Sequence, residues 1–176
     1  MNLIILGAPG SGKSTQAKLL AEALCLPCLE AGNLLYFLSQ ENSKEGQTIK
    51  KAMTEGSLVA DELTVTVMDG QLTSPNYQKG VVIDGFPRSL GQAQKFKWTP
   101  DKVLYIDVSD EENTKRLLKR GRSDDKPEMI KKRLAIYHQE TEPVLDFYSQ
   151  KGILIKVDGE RSVELIHGDI LKRLKK

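Results

Sequence analysis

The stretch Gly7-Ala8-Pro9-Gly10-Ser11-Gly12-Lys13-Ser14 satisfies G-x-x-x-x-G-K-[ST], follows the apolar run 3–6 and opens a segment of helical period. A chance match in a chain of this length is on the order of 1% before that strand-to-helix context is required. Each position has a physical task. Glycines let successive backbone N–H groups turn inward around a phosphate, and the helix that follows presents its positive end. Lys13 reaches toward β- and γ-phosphates, and the Ser14 hydroxyl suits a Mg²⁺ ion or one of its waters. The bland alternative is a glycine turn carrying an exposed lysine. Phosphate binding by itself leaves motors, switches, transporters and kinases open.

A reaction between two phosphate-bearing molecules needs charge and alignment more than covalent chemistry, so its site should draw arginines from separate segments. Arg88, Arg120, Arg122, Arg133 and Arg161 are so distributed. Arg88 and Asp84 follow an apolar run within Asp84-Gly85-Phe86-Pro87-Arg88, which predicts both at the carboxyl end of a strand. Asp84 then reads as an organiser of magnesium-bound water, or more blandly as a turn aspartate. Arg116 and Arg120 share a helix face, and for Arg116 a solvated or intrahelical role is expected. Lys131, Lys132 and Arg133 read alone as a wet helix face. The cysteines form one Cys25-Leu26-Pro27-Cys28 pair without further Cys or His at zinc spacing, so two small buried thiols at a helix-to-strand join are expected.

These residues need a scaffold, and the rest of the sequence describes one. Short apolar runs at 3–6, 26–29, 81–83, 103–108 and 153–157 alternate with helical segments near 13–24, 32–40, 47–55, 61–72, 90–96, 111–119, 128–139, 142–150 and 163–174. That alternation predicts an α/β fold, a parallel sheet covered by helices on both faces. Ser109 and Glu112 read as a capping box, with Gly121 closing the same helix. Residues 31–60 form a helical insertion and 121–127 a short polar break, both expected at the carboxyl ends of strands where such sheets bind ligands. The chain has 176 residues, 39% hydrophobic and 28% charged, enough for one core. Twenty-six basic against twenty-four acidic residues leave +2, which marks no nucleic-acid binder. No apolar run spans a bilayer or resembles a signal segment, so no membrane role and a cytoplasmic address are expected.

Taken in order, these motifs resemble the adenylate kinase family of nucleoside monophosphate kinases, in its short-lid form. The similarity runs through Gly7 to Gln16, Gly56-Ser57-Leu58-Val59 with Asp61-Glu62, Asp84 to Arg88, Arg116 to Asp125 and Ile130 to Leu134. The resemblance implies a P-loop three-layer α/β/α core over 1–29, 60–120 and 128–176, with a five-stranded parallel sheet. It further implies an acceptor-binding insertion over 30–59 and a lid over 121–127, which close over the nucleotides and exclude water. By position, Gly10, Ser11, Gly12, Lys13, Ser14 and Thr15 would hold the ATP phosphates, with Arg120 on the same nucleotide and the loop Gly159 to Arg161 at its adenine. Arg88, Arg122 and Arg133 would address the acceptor and transferring phosphates, with Ala31, Tyr36, Ser57, Leu58, Val59, Gly85 and Gln92 around the acceptor. Ser14 and Asp84 would serve Mg²⁺, and a monomer is expected.

The chain departs from the family pattern in informative places. Where the family carries Ser-Thr-Gly-Asp-x-Leu-Arg, it reads Glu30-Ala31-Gly32-Asn33-Leu34-Leu35-Tyr36. A tyrosine donates one neutral hydrogen bond where an arginine offers a charged fork, a loss of about 2–4 kcal/mol. Asn33 replaces an acid near the metal's water shell. Ala31 resembles uridylate and cytidylate kinases and Gln92 adenylate kinases; AMP is expected as the acceptor, with a UMP/CMP-type or other small-acceptor kinase, or an ATP-binding protein with a weakened acceptor site, as the alternatives. The lid is shorter than in short-lid members and lacks zinc-binding cysteines, so no metal besides magnesium is expected, and ATP hydrolysis or slow transfer is.

Overall fold

Strands β1 (Asn2–Leu6), β2 (Cys28–Glu30), β3 (Val81–Asp84), β4 (Lys102–Asp107) and β5 (Leu154–Asp158) form one parallel sheet in the order β2-β3-β1-β4-β5. The structure is a computed structural model and describes residues 1–122 and 125–175. The predicted α/β class and five parallel strands are present. Because strand side chains alternate, β1 feeds both faces: Leu3 and Ile5 enter one core, Ile4 and Leu6 the other. The first core packs α1 (Lys13–Ala23) and α9 (Val163–Leu174) on the sheet through Leu20, Leu104 and Ile170. The opposite core packs α4 (Asp61–Leu72), α5 (Leu90–Lys95) and α8 (Glu142–Gln150) through Met68, Ala93 and Val144.

Parallel pairing puts every strand's carboxyl end at one edge of the sheet. There lie the glycine loop after β1, the start of α2 (Ala31–Ser39) after β2, the Gly85–Arg88 segment after β3, and Gly159 after β5. β1 sits between β3 and β4, so the chain reverses its direction of progress across the sheet at the glycine loop, where such sheets form a crevice. α2 packs chiefly against α3 (Lys44–Glu55), as an insertion standing off the sheet would. No helix among the described residues is long and apolar enough to cross a membrane.

Several boundaries differ from expectation for local reasons. α3 starts at Lys44, before the expected residue 47, because Ser43 Oγ accepts the Gly46 N–H at 3.0 Å and caps the turn. α6 (Asp110–Arg120) opens on Ser109, whose hydroxyl accepts the Glu112 N–H. The reciprocal half of the expected capping box is missing: Glu112 turns to Arg116, and Glu160 accepts the Ser109 N–H at 3.0 Å. α7 (Pro127–Ile136) and α8 are not separated by a break but joined through a π-helical turn, Tyr137–Thr141. A short 3₁₀ turn at Pro75–Tyr77 carries no apolar periodicity and was not expected.

The expectation of two buried thiols fails. Cys25 is exposed and holds a left-handed backbone at φ 52°, because it follows the last turn of α1 and reverses the chain toward β2. Cys28 is half-buried at the start of β2, and desolvation pushes its thiol up to about 11, which keeps it protonated near neutrality. Leu20 is fully buried between α1 and the sheet. Leu20→Ala should therefore lower the unfolding free energy by about 2–5 kcal/mol, read from the midpoint of urea denaturation at unchanged slope.

Candidate functional site

The glycine loop after β1 is built on backbone conformations that other residues resist. Gly10 at φ 92° lies so close to α6 that a Cβ there would come 2.6 Å from the Asn113 carbonyl oxygen. Gly12 at φ 86° faces open space, so its requirement is torsional alone, and it N-caps α1. Ser11 N–H closes the loop on the Ala8 carbonyl at 3.1 Å, and Lys13 Nζ folds back to the same carbonyl at 3.3 Å. Desolvation lowers the Lys13 pKa to about 8, opposed by Asp84 and assisted by Arg88, Arg133 and Arg120. Arg88 after β3, Arg120 of α6 and Arg133 of α7 thus lie near enough to one lysine to act on its charge. Ser14 and Thr15 continue into the first turn of α1, half-buried and exposed respectively.

Asp84 ends β3 with its carboxylate buried and Oδ1 lacking any hydrogen-bond partner. A buried carboxylate oxygen left bare is costly unless something polar reaches it. Beyond it, Arg88 is fastened three ways. Its Nε donates to the Gly85 carbonyl at 2.7 Å, its N–H donates to Gln92 Oε1 at 2.7 Å, and its carbonyl accepts from Thr141 Oγ1 at 2.7 Å. Arg88 reaches solvent through the cleft, while surrounding protein atoms lower its pKa against the pull of Asp84. Solvent access moderates that shift, and the guanidinium stays charged.

Next to Arg88 lies a cleft lined by Ala31, Ser57, Leu58, Val59, Gly85 and Gln92, all expected around the acceptor, together with Gly32, Leu35, Met53, Thr64 and Phe86. It encloses about 60 Å³. Ordinary small-molecule sites run from ~300 Å³, so the cleft as it stands is smaller than such a site. The insertion rests on α7: Lys132 Nζ donates to the Glu55 carbonyl at the end of α3, and a Cβ on Gly56 would lie 2.8 Å from Met129 Cε.

Arg120 of α6 and Arg133 of α7 converge on Asp125, whose side chain is wholly buried. Arg120 donates to it through Nε at 2.8 Å and Nη2 at 2.6 Å, Arg133 Nη1 stands at 3.6 Å, and the Arg122 N–H donates at 3.1 Å. The Arg120 hydrogen bonds hold the Asp125 carboxyl below its ordinary pKa. Arg122 is exposed. Of the expected lid, Ser123 and Asp124 lie outside the described residues.

This arrangement fits the comparisons with known proteins. The sequence profile of adenylate kinases matches residues 5–153. The chain belongs to the adenylate kinase family. An adenylate kinase of Stenotrophomonas maltophilia (strain K279a) is 36% identical over 99% of this chain and 100% of its own length. One from Prochlorococcus marinus (strain MIT 9211) is 42% identical over 92% of this chain and 90% of its own, and one from Phocaeicola vulgatus 35% over 100% and 99%.

Against that family background some expected residues stand apart. Tyr36 is 53% exposed, edge-on to Phe37 with ring centroids 6.2 Å apart, and does not line the cleft. It follows Gly32 by one helical turn, and a Cβ on Gly32 would lie 3.8 Å from Arg88 Nη2, so Tyr36 shares the stripe above that arginine. Asn33 is exposed on α2. Arg161 is committed elsewhere: it donates to the Asp158 carbonyl and to Asp169 Oδ2 at 2.9 Å.

Two contributors were missed or half-seen in sequence. Asp125 was only one acid in a polar segment, and its role as shared counter-ion depends on α6 and α7 meeting. Arg116 has the expected intrahelical partner, Glu112 at 2.9 Å, but Nη2 also donates to the Gly159 carbonyl at 3.0 Å and Nη1 reaches the Ser11 carbonyl at 3.5 Å. It thereby ties the glycine loop to the loop after β5. Gly159 is buried there, since a Cβ would meet Val108 and Ile106 at 2.5 and 2.6 Å.

Asp169 also receives Arg173, and these two arginines lower its pKa from 3.8 to about 2. A depressed carboxylate contributes stability that is complete above pH 3.8 and is lost as pH falls toward 2. Asp169→Asn should flatten the loss of stability across that window, measured by chemical denaturation at successive pH values. The wild-type and variant curves should differ above it by a constant offset.

Proposed function

We propose that this chain transfers the γ-phosphoryl group of Mg²⁺-bound ATP to AMP, reversibly, giving two molecules of ADP. The observation that carries the reading is the gathering of Lys13, Asp84, Arg88, Arg120 and Arg133 from separate segments, close enough that Lys13 responds electrostatically to the other four. ATP lies on Gly10 to Thr15, with Arg120 on its phosphates and the loop at Gly159 beside its adenine. Arg161, spent on Asp158 and Asp169, helps as a brace for that loop. Arg88, Arg122 and Arg133 take the acceptor and transferring phosphates. No general base is needed, because the acceptor phosphate already carries a nucleophilic oxygen; cations and alignment lower the barrier.

The residues suit magnesium. Asp84 offers a bare buried oxygen and Ser14 a hydroxyl, while no group of three His, Cys, Asp or Glu among the described residues could hold a metal alone. That matches an ion which keeps most of its waters and takes its remaining ligands from phosphates. When bound, it spreads the charge of the β- and γ-phosphates. The α2–α3 unit within 30–59 acts as the flap over the acceptor and 121–127 as the lid, on a monomeric cytoplasmic enzyme.

Gln92 supports AMP as acceptor. Its Oε1 is occupied by the Arg88 N–H, so the amide offers the cleft its Nε2 donors. Adenine accepts at its pyrimidine-ring nitrogen N1, whereas uracil and guanine carry N–H groups at the corresponding edge and would meet donor with donor. Turnover measured with each monophosphate in turn should rank AMP well above UMP and GMP. Absence of turnover with all of them would overturn the reading.

Two variants test the roles directly. Lys13→Ala should lower kcat by about 1,000-fold or more, since it deletes the cation at the shifting charge. Tyr36→Arg, restoring a cation on the stripe above Arg88, should lower KM for AMP by about tenfold or raise kcat/KM to match. An unchanged KM in Tyr36→Arg would mean the acceptor phosphate lies beyond the reach of that stripe.

A further inference from the structure

The π-helical turn Tyr137–Thr141 lies outside every motif that points to nucleotide chemistry, yet it reaches into the acceptor side. In an ordinary helix a threonine hydroxyl bonds back to the carbonyl four residues earlier. For Thr141 that carbonyl belongs to Tyr137, and here it receives the N–H of Glu142, five residues on, as the π register requires. Thr141 Oγ1 donates instead to the carbonyl of Arg88 at 2.7 Å, and the side chain is buried. The turn is held from its other side as well: His138 bonds Asp110 of α6 at 2.9 Å and Glu142 at 3.0 Å. Arg88 has no regular secondary structure of its own, so its backbone is set by these contacts: Gln92 at the N–H and Thr141 at the carbonyl.

We infer that Thr141 is a positioning residue for the acceptor phosphate, acting through the backbone of Arg88. The inference rests on Arg88 being the acceptor-phosphate cation. Its carbonyl orientation fixes the peptide plane that leads to Ser89, and with it the point from which the guanidinium extends over Gly85. Without the hydroxyl that carbonyl loses a buried partner and the peptide plane can rotate. The guanidinium then samples positions away from the acceptor phosphate, while the ATP side, built on the glycine loop and α6, is untouched.

Steady-state kinetics on the intact enzyme test this with Thr141→Val, which keeps the shape and removes the donor, and Thr141→Ser, which keeps the donor. Thr141→Val should raise KM for AMP about 5- to 30-fold, the effect of one displaced charge-assisted contact, with KM for ATP within about twofold of wild type. Thr141→Ser should retain the wild-type KM for AMP. In an Arg88→Lys background the Thr141→Val effect should largely vanish, because both changes act on one contact. Should Thr141→Val fold poorly, Thr141→Ala read the same way replaces it. A valine variant with unchanged KM for AMP, a serine variant as impaired as valine, or full additivity with Arg88→Lys would overturn the inference. If Arg88→Lys alone leaves KM for AMP unchanged, it is the assignment of Arg88 that falls.

Discussion

Positive charge gathered in one place repels itself, and the residues around Lys13 are arranged against that repulsion. Burial lowers the Lys13 pKa to about 8, and Arg88, Arg133 and Arg120 push it the same way. Buried carboxylates answer it from inside the protein. Asp84 stands among Lys13 and Arg88, and Asp125 is enclosed by Arg120 and Arg133 with no side-chain surface left to solvent. Neither acid belongs to a surface ion pair of negligible worth; both lie where removal of a partner would leave a buried charge exposed to low dielectric. The internal anions hold the cations in place, Asp125 through the hydrogen bonds from Arg120 and Asp84 through its charge beside Lys13 and Arg88.

The fold places these charges through one repeated device. Five parallel strands deliver their carboxyl ends to a single edge, where the segments after β1, β2, β3 and β5 meet. Cross-braces then lock the segments to one another. Arg116 links the loop after β1 to the loop after β5, Glu160 holds the start of α6, and Thr141 and Gln92 fasten the segment after β3. The α2–α3 insertion rests on α7 through Lys132 and borders a cleft of about 60 Å³.

Position Tyr36 shows how a departure from the family pattern acts on charge rather than on architecture. An exposed phenol edge-on to Phe37 occupies the stripe above Arg88, so α2 offers no cation there, and packing of α2 on α3 is unaffected. Arg88 is the cation that lines the cleft beneath α2, and Gln92 and Thr141 fasten its backbone.

Local chemistry was readable in the sequence wherever a residue's task is set by its immediate neighbours. The glycine loop followed from spacing, α4 and α9 from their apolar period at the observed bounds 61–72 and 163–174, and the cap at Ser109 from its side chain. Of the residues that the family resemblance set around the acceptor, Ala31, Ser57, Leu58, Val59, Gly85, Arg88 and Gln92 line one pocket, whereas Tyr36, Arg122 and Arg133 do not. The tertiary structure decided what no short stretch contains: which acid pairs with which arginine, that Arg161 belongs to Asp169, that Cys25 faces solvent, and that Thr141 reaches Arg88 across 53 residues. Backbone torsion and side-chain period are properties of neighbours along the chain, whereas a buried charge takes its partner from whatever the folded core brings within a few ångströms, and only the assembled layers determine that.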